Sequence, residues 1–121
     1  MIKISNAEWK VMNLLWDKEP QTITQITKAL QEDTGWSKHV VITYLKRLEE
    51  KKIIHHEEGG RAKLYFVDIK KEDAVIEETN NLLNRVFKGN AGLMISMMIE
   101  QNTLSEDEIE ELHRILNKKV K

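Results

Sequence analysis

Residues 22–67 read TITQITKALQEDTGWSKHVVITYLKRLEEKKIIHHEEGGRAKLYFV. The stretch opens with a capping box, because the Thr22 hydroxyl can accept a hydrogen bond from the amide three residues on and the glutamine there can reach back. Gly35 then interrupts the helical pattern, and Ser37 can cap a further helix that runs to about Lys51. Two helices joined by a short turn that contains glycine predict a helix-turn-helix.

A β-hairpin is predicted directly after these helices. Residues 53–58 and 62–67 are two short runs that contain β-branched and aromatic side chains. Gly59-Gly60 lies between them and can supply the positive φ angles that a tight turn needs. A hairpin in this position would form the wing of a winged helix-turn-helix.

The first helix precedes this stretch and has its own start signal. Ser5 and Glu8 form a second capping box, and apolar residues follow at helical spacing. The order of three helices and a hairpin predicts a winged-helix DNA-binding domain over residues 1–69. We therefore expect a mainly α fold with a small β-hairpin wing, in which a three-helix dimerisation domain of residues 70–121 follows the winged helix-turn-helix.

The second half of the chain is predicted to hold this dimerisation domain. Three short helices bury little apolar surface alone, and residues 93–99 are apolar around almost every face of their helix. A second copy of the chain can cover such a helix, so we expect a homodimer rather than a monomer whose helices fold back on the wing. The candidate dimer contacts are Val75, Leu82, Leu83, Val86, Leu93, Met94, Met97, Met98, Ile109, Leu112 and Leu116.

Composition excludes several classes of site. The chain has no cysteine, which excludes disulfides, zinc–thiolate centres and thiol nucleophiles. His55 and His56 are adjacent on a predicted strand and point to opposite faces, so they cannot chelate one metal ion together. No catalytic motif is present, and we expect neither an enzyme nor a bound cofactor or metal. No apolar run is long enough to insert into a membrane, which predicts a cytoplasmic protein.

The third helix divides into two faces on a helical wheel. One face is predicted to be buried and carries Val41, Tyr44, Leu45 and Leu48. The opposite face presents hydrogen-bond donors and apolar tips, as a recognition helix in the major groove requires. Its candidate DNA contacts are Lys38, His39, Val40, Ile42, Thr43, Lys46 and Arg47.

Base specificity is expected near the start of this helix. Val40 and Ile42 can contact thymine methyl groups, and Thr43 can do the same or form a hydrogen bond. In the predicted wing, Arg61 and Lys63 share a strand face and can contact phosphates or enter the minor groove.

The net charge of the chain does not by itself indicate a nucleic-acid partner, but the distribution of charge along the sequence favours one. Net charge is −1, but residues 36–63 carry seven Lys and Arg against four Glu. Double-stranded DNA is therefore the expected partner, although Glu57 and Glu58 oppose strong attraction of phosphate by the wing. The alternative is a winged-helix module that binds proteins and never contacts DNA.

Short matching segments are spread along most of the chain, at residues 4–9, 11–12, 16, 35–37, 45–48, 83–86, 104–105 and 109–116. In this order they resemble the penicillinase repressor family, the BlaI/MecI group. The resemblance implies a homodimeric repressor on a palindromic operator, controlling an antibiotic-response regulon of the β-lactamase type or a related one. It further implies that a membrane-linked sensor triggers proteolysis within the dimerisation region. The family is usually cut at an Asn-Phe bond, and the corresponding position here is Met97-Met98.

Overall fold

The computed structural model describes residues 2–120. Within that range, six helices and one antiparallel pair of strands follow each other in the predicted order. The mainly α fold with a β-hairpin is therefore confirmed. The elements are α1 (Asn6–Asp17), α2 (Ile23–Thr34), α3 (Lys38–Glu50), β1 (Ile54–Gly59), β2 (Ala62–Val67), α4 (Lys71–Phe87), α5 (Ala91–Glu100) and α6 (Glu106–Val120).

Predicted capping residues begin the first three helices. Ser5 and Thr22 each accept a hydrogen bond from the third residue of their helix, and the side chain of that residue bonds back to the cap. Ser37 accepts a hydrogen bond of 3.3 Å from the Val40 amide at the start of α3. Gly35 ends α2 with a φ of 67°, a left-handed conformation that glycine adopts without strain. These local signals place the turn between α2 and α3.

The chain up to Glu78 forms one compact unit around a single apolar core. Side chains from α1, α2, α3 and the hairpin meet there, and Gln21 links the hairpin to the start of α2. Its amide donates to the Tyr65 carbonyl at 3.4 Å, and the Tyr65 amide donates back at 2.9 Å. The hairpin is thereby held against the helices. Fully buried side chains of this core include Val11, Met12, Leu15, Ile26, Val41, Leu45 and Leu48.

The turn of the hairpin differs from the sequence prediction. Gly59 pairs with Ala62 as the last residue of β1, so the two-residue loop is Gly60-Arg61 and not Gly59-Gly60. Only Gly60 of the two glycines has a positive φ, at 77°, and glycine at the first loop position is typical of a type II′ turn. Gly59 is needed for space, because a Cβ built there would lie 2.6 Å from Leu64 Cδ1.

The chain from Thr79 onward forms a second compact unit, which contains most of α4 and all of α5 and α6. None of the side chains of residues 79–120 is buried in the single chain. Between α5 and α6 runs an apolar groove of about 250 Å³. Across residues 2–120, no helix is both long and apolar enough to cross a membrane. The groove is lined by Ile95, Ile99, Ile109, Leu112, His113, Ile115 and Leu116.

Candidate nucleic-acid interface

Helix α3 has the two faces that its sequence predicts. Val41, Leu45 and Leu48 are fully buried and anchor the helix in the core. Tyr44, which we expected on the same face, is only half-buried. It lies at the edge of the core, where its ring contacts that of Trp36 with 4.8 Å between the ring centroids. On the opposite side of α3, His39, Lys46 and Glu50 are exposed, and Ile42 and Thr43 are half-buried.

A first cleft, of about 350 Å³, separates the start of α2 from the tip of the wing. It brings Lys38, at the first position of α3, to the same surface as Arg61 and Lys63 of the hairpin. Three cations from two distant parts of the sequence therefore surround one concave site. The remaining lining residues are Thr22, Ile23, Thr24 and Ala62.

A second cleft, of about 480 Å³, lies between α3 and the wing. Ile42 and Lys46 line it from α3, and Lys63 lines it from β2. Ile23 and Lys63 border both clefts, so the two form a continuous band of surface that is lined by Lys38, Lys46, Arg61 and Lys63. The other lining residues are Ile23, Glu49, Glu50, His56 and Tyr65.

The cations of this band are available for a ligand. Ion pairs within residues 2–120 involve Lys10, Lys51 and Arg114 among the lysines and arginines. Lys38, Lys46, Arg47, Arg61 and Lys63 take part in none of them. An unpaired cation on a surface can neutralise a phosphate and release its counterion, so this distribution suits a polyanion.

Arg47 is separate from the other four cations. It lines neither cleft, and its guanidinium carbon lies 5.5 Å from the centroid of the Tyr44 ring. A guanidinium at this distance from an aromatic ring is attracted to it by a cation–π interaction. On the helical wheel, Arg47 and Ile42 occupy opposite edges of the exposed face. The expected DNA contacts therefore flank α3 on two sides instead of forming one patch.

His39 and Thr43 lie near the middle of the exposed face, and Val40 lies at its edge beside Arg47. His39 is exposed, whereas Val40 and Thr43 are half-buried, and none of the three lines a cleft. The Thr43 hydroxyl donates a hydrogen bond of 3.1 Å to the His39 carbonyl. That bond occupies the only proton of the hydroxyl, a point that helical spacing alone could not predict.

Carboxylates lie at the root of the wing. His56 Nδ1 and Glu49 Oε2 are 2.8 Å apart, and burial together with the charges of Glu49 and Glu58 raises the pKa of Tyr65. On the other face of β1, hydrogen bonds with Glu57 and Asp68 raise the pKa of His55. The two histidines have separate partners, as their alternation on the strand predicts. Among the described residues, no group of three or more histidine and acidic side chains could hold a metal ion.

Sequence reasoning missed two threonines and two glutamates, Glu49 and Glu50, among the residues that line the two clefts. Thr22 and Thr24, in the first turn of α2, line the first cleft beside Lys38. The hydroxyls beside the predicted start of α2 could have indicated them, because helix N-termini commonly meet DNA phosphates. Glu49 and Glu50 add negative charge to the second cleft, and nothing in their sequence positions distinguished them from solvated glutamates.

Comparison with known proteins identifies the family. The family model for penicillinase repressors matches residues 4–118. The chain belongs to the penicillinase repressor family. The regulatory protein MecI of Staphylococcus aureus strain N315, named for methicillin resistance, is 34% identical over 97% of this chain and 95% of its own. The penicillinase repressor of Bacillus licheniformis is 32% identical over 94% of this chain and 89% of its own.

A solved structure of another family member matches the first unit. The solution structure of the monomeric form of Bacillus licheniformis BlaI, in complex with the blaP half-operator, superposes with a TM-score of 0.53 and 30% identity. The match covers 60% of this repressor-family chain and 88% of the BlaI chain. Family membership confirms the predicted resemblance, the winged helix-turn-helix and the prediction of a repressor in place of an enzyme.

Proposed function

We propose that this protein is a homodimeric transcriptional repressor that binds a palindromic operator, one winged helix to each half-site. The observation that carries the proposal is the band of unpaired cations along the two clefts, formed by Lys38, Lys46, Arg61 and Lys63. The wing and α3 supply these charges together, as a winged-helix protein needs in order to follow a DNA backbone beside the major groove. The half-operator complex of BlaI supports the same use of this unit.

Each candidate residue has a role in this proposal. The cations of the band contact phosphates beside the wing, and Arg47 contacts the backbone on the other side of α3. Bases are read by the exposed positions near the start of α3, where recognition helices meet base edges. The proposed base contacts are His39, Val40, Ile42 and Thr43.

We propose that residues 70–121 form the dimer. Several large apolar side chains there are 38% to 56% exposed in the single chain, and the apolar groove between α5 and α6 has no cover within residues 79–120. An exposed apolar surface of this kind is typical of an interface. A second copy of the chain can bury it, because the same surface of each copy covers that of the other in a two-fold dimer. The proposed contacts are Val75, Leu82, Leu83, Val86, Leu93, Met94, Met97, Met98, Ile109, Leu112 and Leu116.

Release from DNA is proposed to follow proteolysis in the same region. Family resemblance implies a membrane-linked sensor protease, an antibiotic-response regulon and a repressor that acts in the cytoplasm. Met97-Met98 takes the place of the Asn-Phe bond, so the protease that acts here would have a different specificity. The two methionines lie within α5 and are 46% and 38% exposed in the single chain.

Footprinting on the DNA upstream of the protein's own gene tests operator binding. We expect protection of two inverted half-sites whose centres lie about 34 Å or a multiple of this apart. Lys46→Ala should weaken protection, whereas Lys119→Ala, in α6, serves as a matched control and should not. Specific protection of no sequence would contradict the proposal and favour the protein-binding alternative.

A further inference from the structure

Three side chains give the exposed face of α3 an apolar character. Val40 and Ile42 are half-buried and reach the surface on either side of the helix, and Thr43 lies between them on the wheel. All three are in the first half of α3, the part of a recognition helix that approaches base edges. An apolar surface at this position cannot exchange hydrogen bonds with bases.

Three polar side chains of α3 are engaged within the protein. The Thr43 hydroxyl donates its proton to the His39 carbonyl, so Thr43 can offer a base its methyl group and an oxygen that can only accept. The Arg47 guanidinium lies against the Tyr44 ring at one edge of α3. At the other edge, Glu49 is hydrogen-bonded with His56. Arg47 is the one arginine of α3, so the centre of this face offers no arginine for bidentate pairing with guanine, the commonest specific contact in the major groove.

The major groove offers one strongly apolar feature, the C5 methyl group of thymine. We infer that α3 distinguishes operator bases chiefly by contact with thymine methyl groups, through Val40, Ile42 and the methyl group of Thr43. This inference rests on the operator binding proposed above and specifies its chemistry. His39 and Lys46 remain as hydrogen-bond donors at the same face and supply contacts with neighbouring bases or phosphates.

Thymine-to-uracil substitution in the footprinted operator tests the inference, because uracil lacks only the methyl group. Affinity is measured for duplexes in which each thymine of a half-site is replaced in turn. Burial of one methyl group contributes about a fourfold change in affinity, so we expect losses of about this size at two or more positions. Substitution with 5-bromouracil, whose bromine fills the volume of the methyl group, should restore affinity at those positions.

A matched pair of variants separates methyl contact from hydrogen bonding at Thr43. Thr43→Val keeps the methyl group and removes the hydroxyl, and both side chains are β-branched, so it should retain the difference in affinity between thymine and uracil operators. Thr43→Ser keeps the hydroxyl and removes the methyl group, so it should lose about fourfold in affinity. It should also lose the difference between thymine and uracil at one position. Thermal unfolding of both variants checks that the fold is intact.

The outcomes are distinct. Uracil sensitivity that Thr43→Ser removes and Thr43→Val retains supports the inference. A footprint that forms equally on thymine and uracil operators overturns it while the repressor function stands, and so does a loss of affinity in Thr43→Val alone. Specific binding to no sequence overturns the proposed function and the inference together.

Discussion

Lys46 and Arg61 reach the candidate interface from α3 and from the turn of the wing. Neither side chain has an acidic partner, and each lines one of the two clefts. Their contribution to DNA binding should be electrostatic, because exposed lysine and arginine bind phosphate mainly by releasing condensed counterions. The dependence of affinity on salt therefore measures their contact with the backbone directly.

We expect Lys46→Ala and Arg61→Ala each to flatten the dependence of log K on log salt concentration by about 0.9. Lys119→Ala, which removes a cation from α6, should leave that slope unchanged. Titration of operator DNA by fluorescence anisotropy at several salt concentrations provides the measurement. Unchanged slopes in both interface variants would mean that neither side chain contacts a phosphate.

Glu8 connects the first helix to the end of α3. Its carboxylate is 1% exposed and accepts hydrogen bonds from Lys51 Nζ at 2.5 Å and from the Ser5 amide at 2.8 Å. Burial raises the pKa of Glu8, but the hydrogen bonds from Lys51 and Ser5 and the charge of Lys51 outweigh burial and hold it below its ordinary value of 4.5. The charged form is therefore bound more tightly in the folded protein than in the unfolded chain.

This lowered pKa makes the stability of the first unit depend on pH. The stabilisation by Glu8 is fully present above pH 4.5, the pKa in the unfolded chain, and is lost as the pH falls through the lower folded value. Glu8→Gln should lower the free energy of unfolding by about 1–3 kcal/mol at neutral pH and by less in acid. Urea unfolding at a series of pH values measures this difference. The exposed Glu32→Gln is the control, and an equal loss at all pH values would contradict the assignment.

The turn of the wing depends on the backbone conformation of a single residue, Gly60. Its loop is only two residues long, and Gly60 adopts a φ of 77° there. Nothing lies within 4 Å of a Cβ built on Gly60, so backbone strain and not a clash limits substitution. Arg61 occupies the other loop position without a positive φ, and it presents the cation.

Gly60→Ala should therefore lower stability, whereas Arg61→Ala should lower DNA affinity. Alanine at position 60 is strained at a positive φ and should lower the free energy of unfolding by about 1 kcal/mol or more. Alanine at position 61 removes a charge from an unstrained position, so stability should persist while DNA affinity falls. Chemical denaturation and anisotropy on the same samples separate the two effects. A stable Gly60→Ala protein would show that the turn tolerates other geometries.

At the scale of the whole molecule, the two units differ in how they bury apolar surface. The unit up to Glu78 has a core of fully buried side chains, whereas residues 79–120 have none. Leu116 is 55% exposed beside the groove between α5 and α6. The second unit therefore needs a partner surface, which the proposed dimer supplies.

Leu116→Glu should convert the protein to a monomer at low micromolar concentration. A carboxylate in an apolar interface would be desolvated without a partner, and this cost opposes association. Sedimentation velocity measures the mass of the wild type, of Leu116→Glu and of the exposed control Gln101→Glu, which should remain a dimer. A wild-type chain that sediments as a monomer would refute dimerisation itself.

Proteolytic release should occur without an Asn-Phe bond. Residues 91–100 are helical, so a protease that needs an extended chain can cut only after local opening of α5. Cells exposed to a cell-wall antibiotic should accumulate a fragment with a new terminus within residues 93–102, identified by mass spectrometry. Unexposed cells are the control. If the target genes are expressed while the protein stays full length, release does not require cleavage.

Local chemistry was sufficient to predict most of the fold. The capping boxes at Ser5 and Thr22, the break at Gly35 and the two faces of α3 all appear where the sequence placed them. These features depend on residues within one or two helical turns of each other, so the sequence contains all the interacting groups. The hairpin was predicted for the same reason, and its turn was misplaced by one residue because register depends on packing across the strands, here of Leu64 against Gly59.

The composition of the interface was decided by the tertiary structure. Lys38 and Arg61 are far apart in sequence and share a cleft only because the hairpin packs beside the start of α2. Arg47 is on the same helix as Lys38 but nine residues further on, on the opposite side of α3, and it lies against the Tyr44 ring and outside that cleft. A sequence predicts which side chains could contact DNA, but their grouping and their free hydrogen-bonding atoms depend on long-range packing.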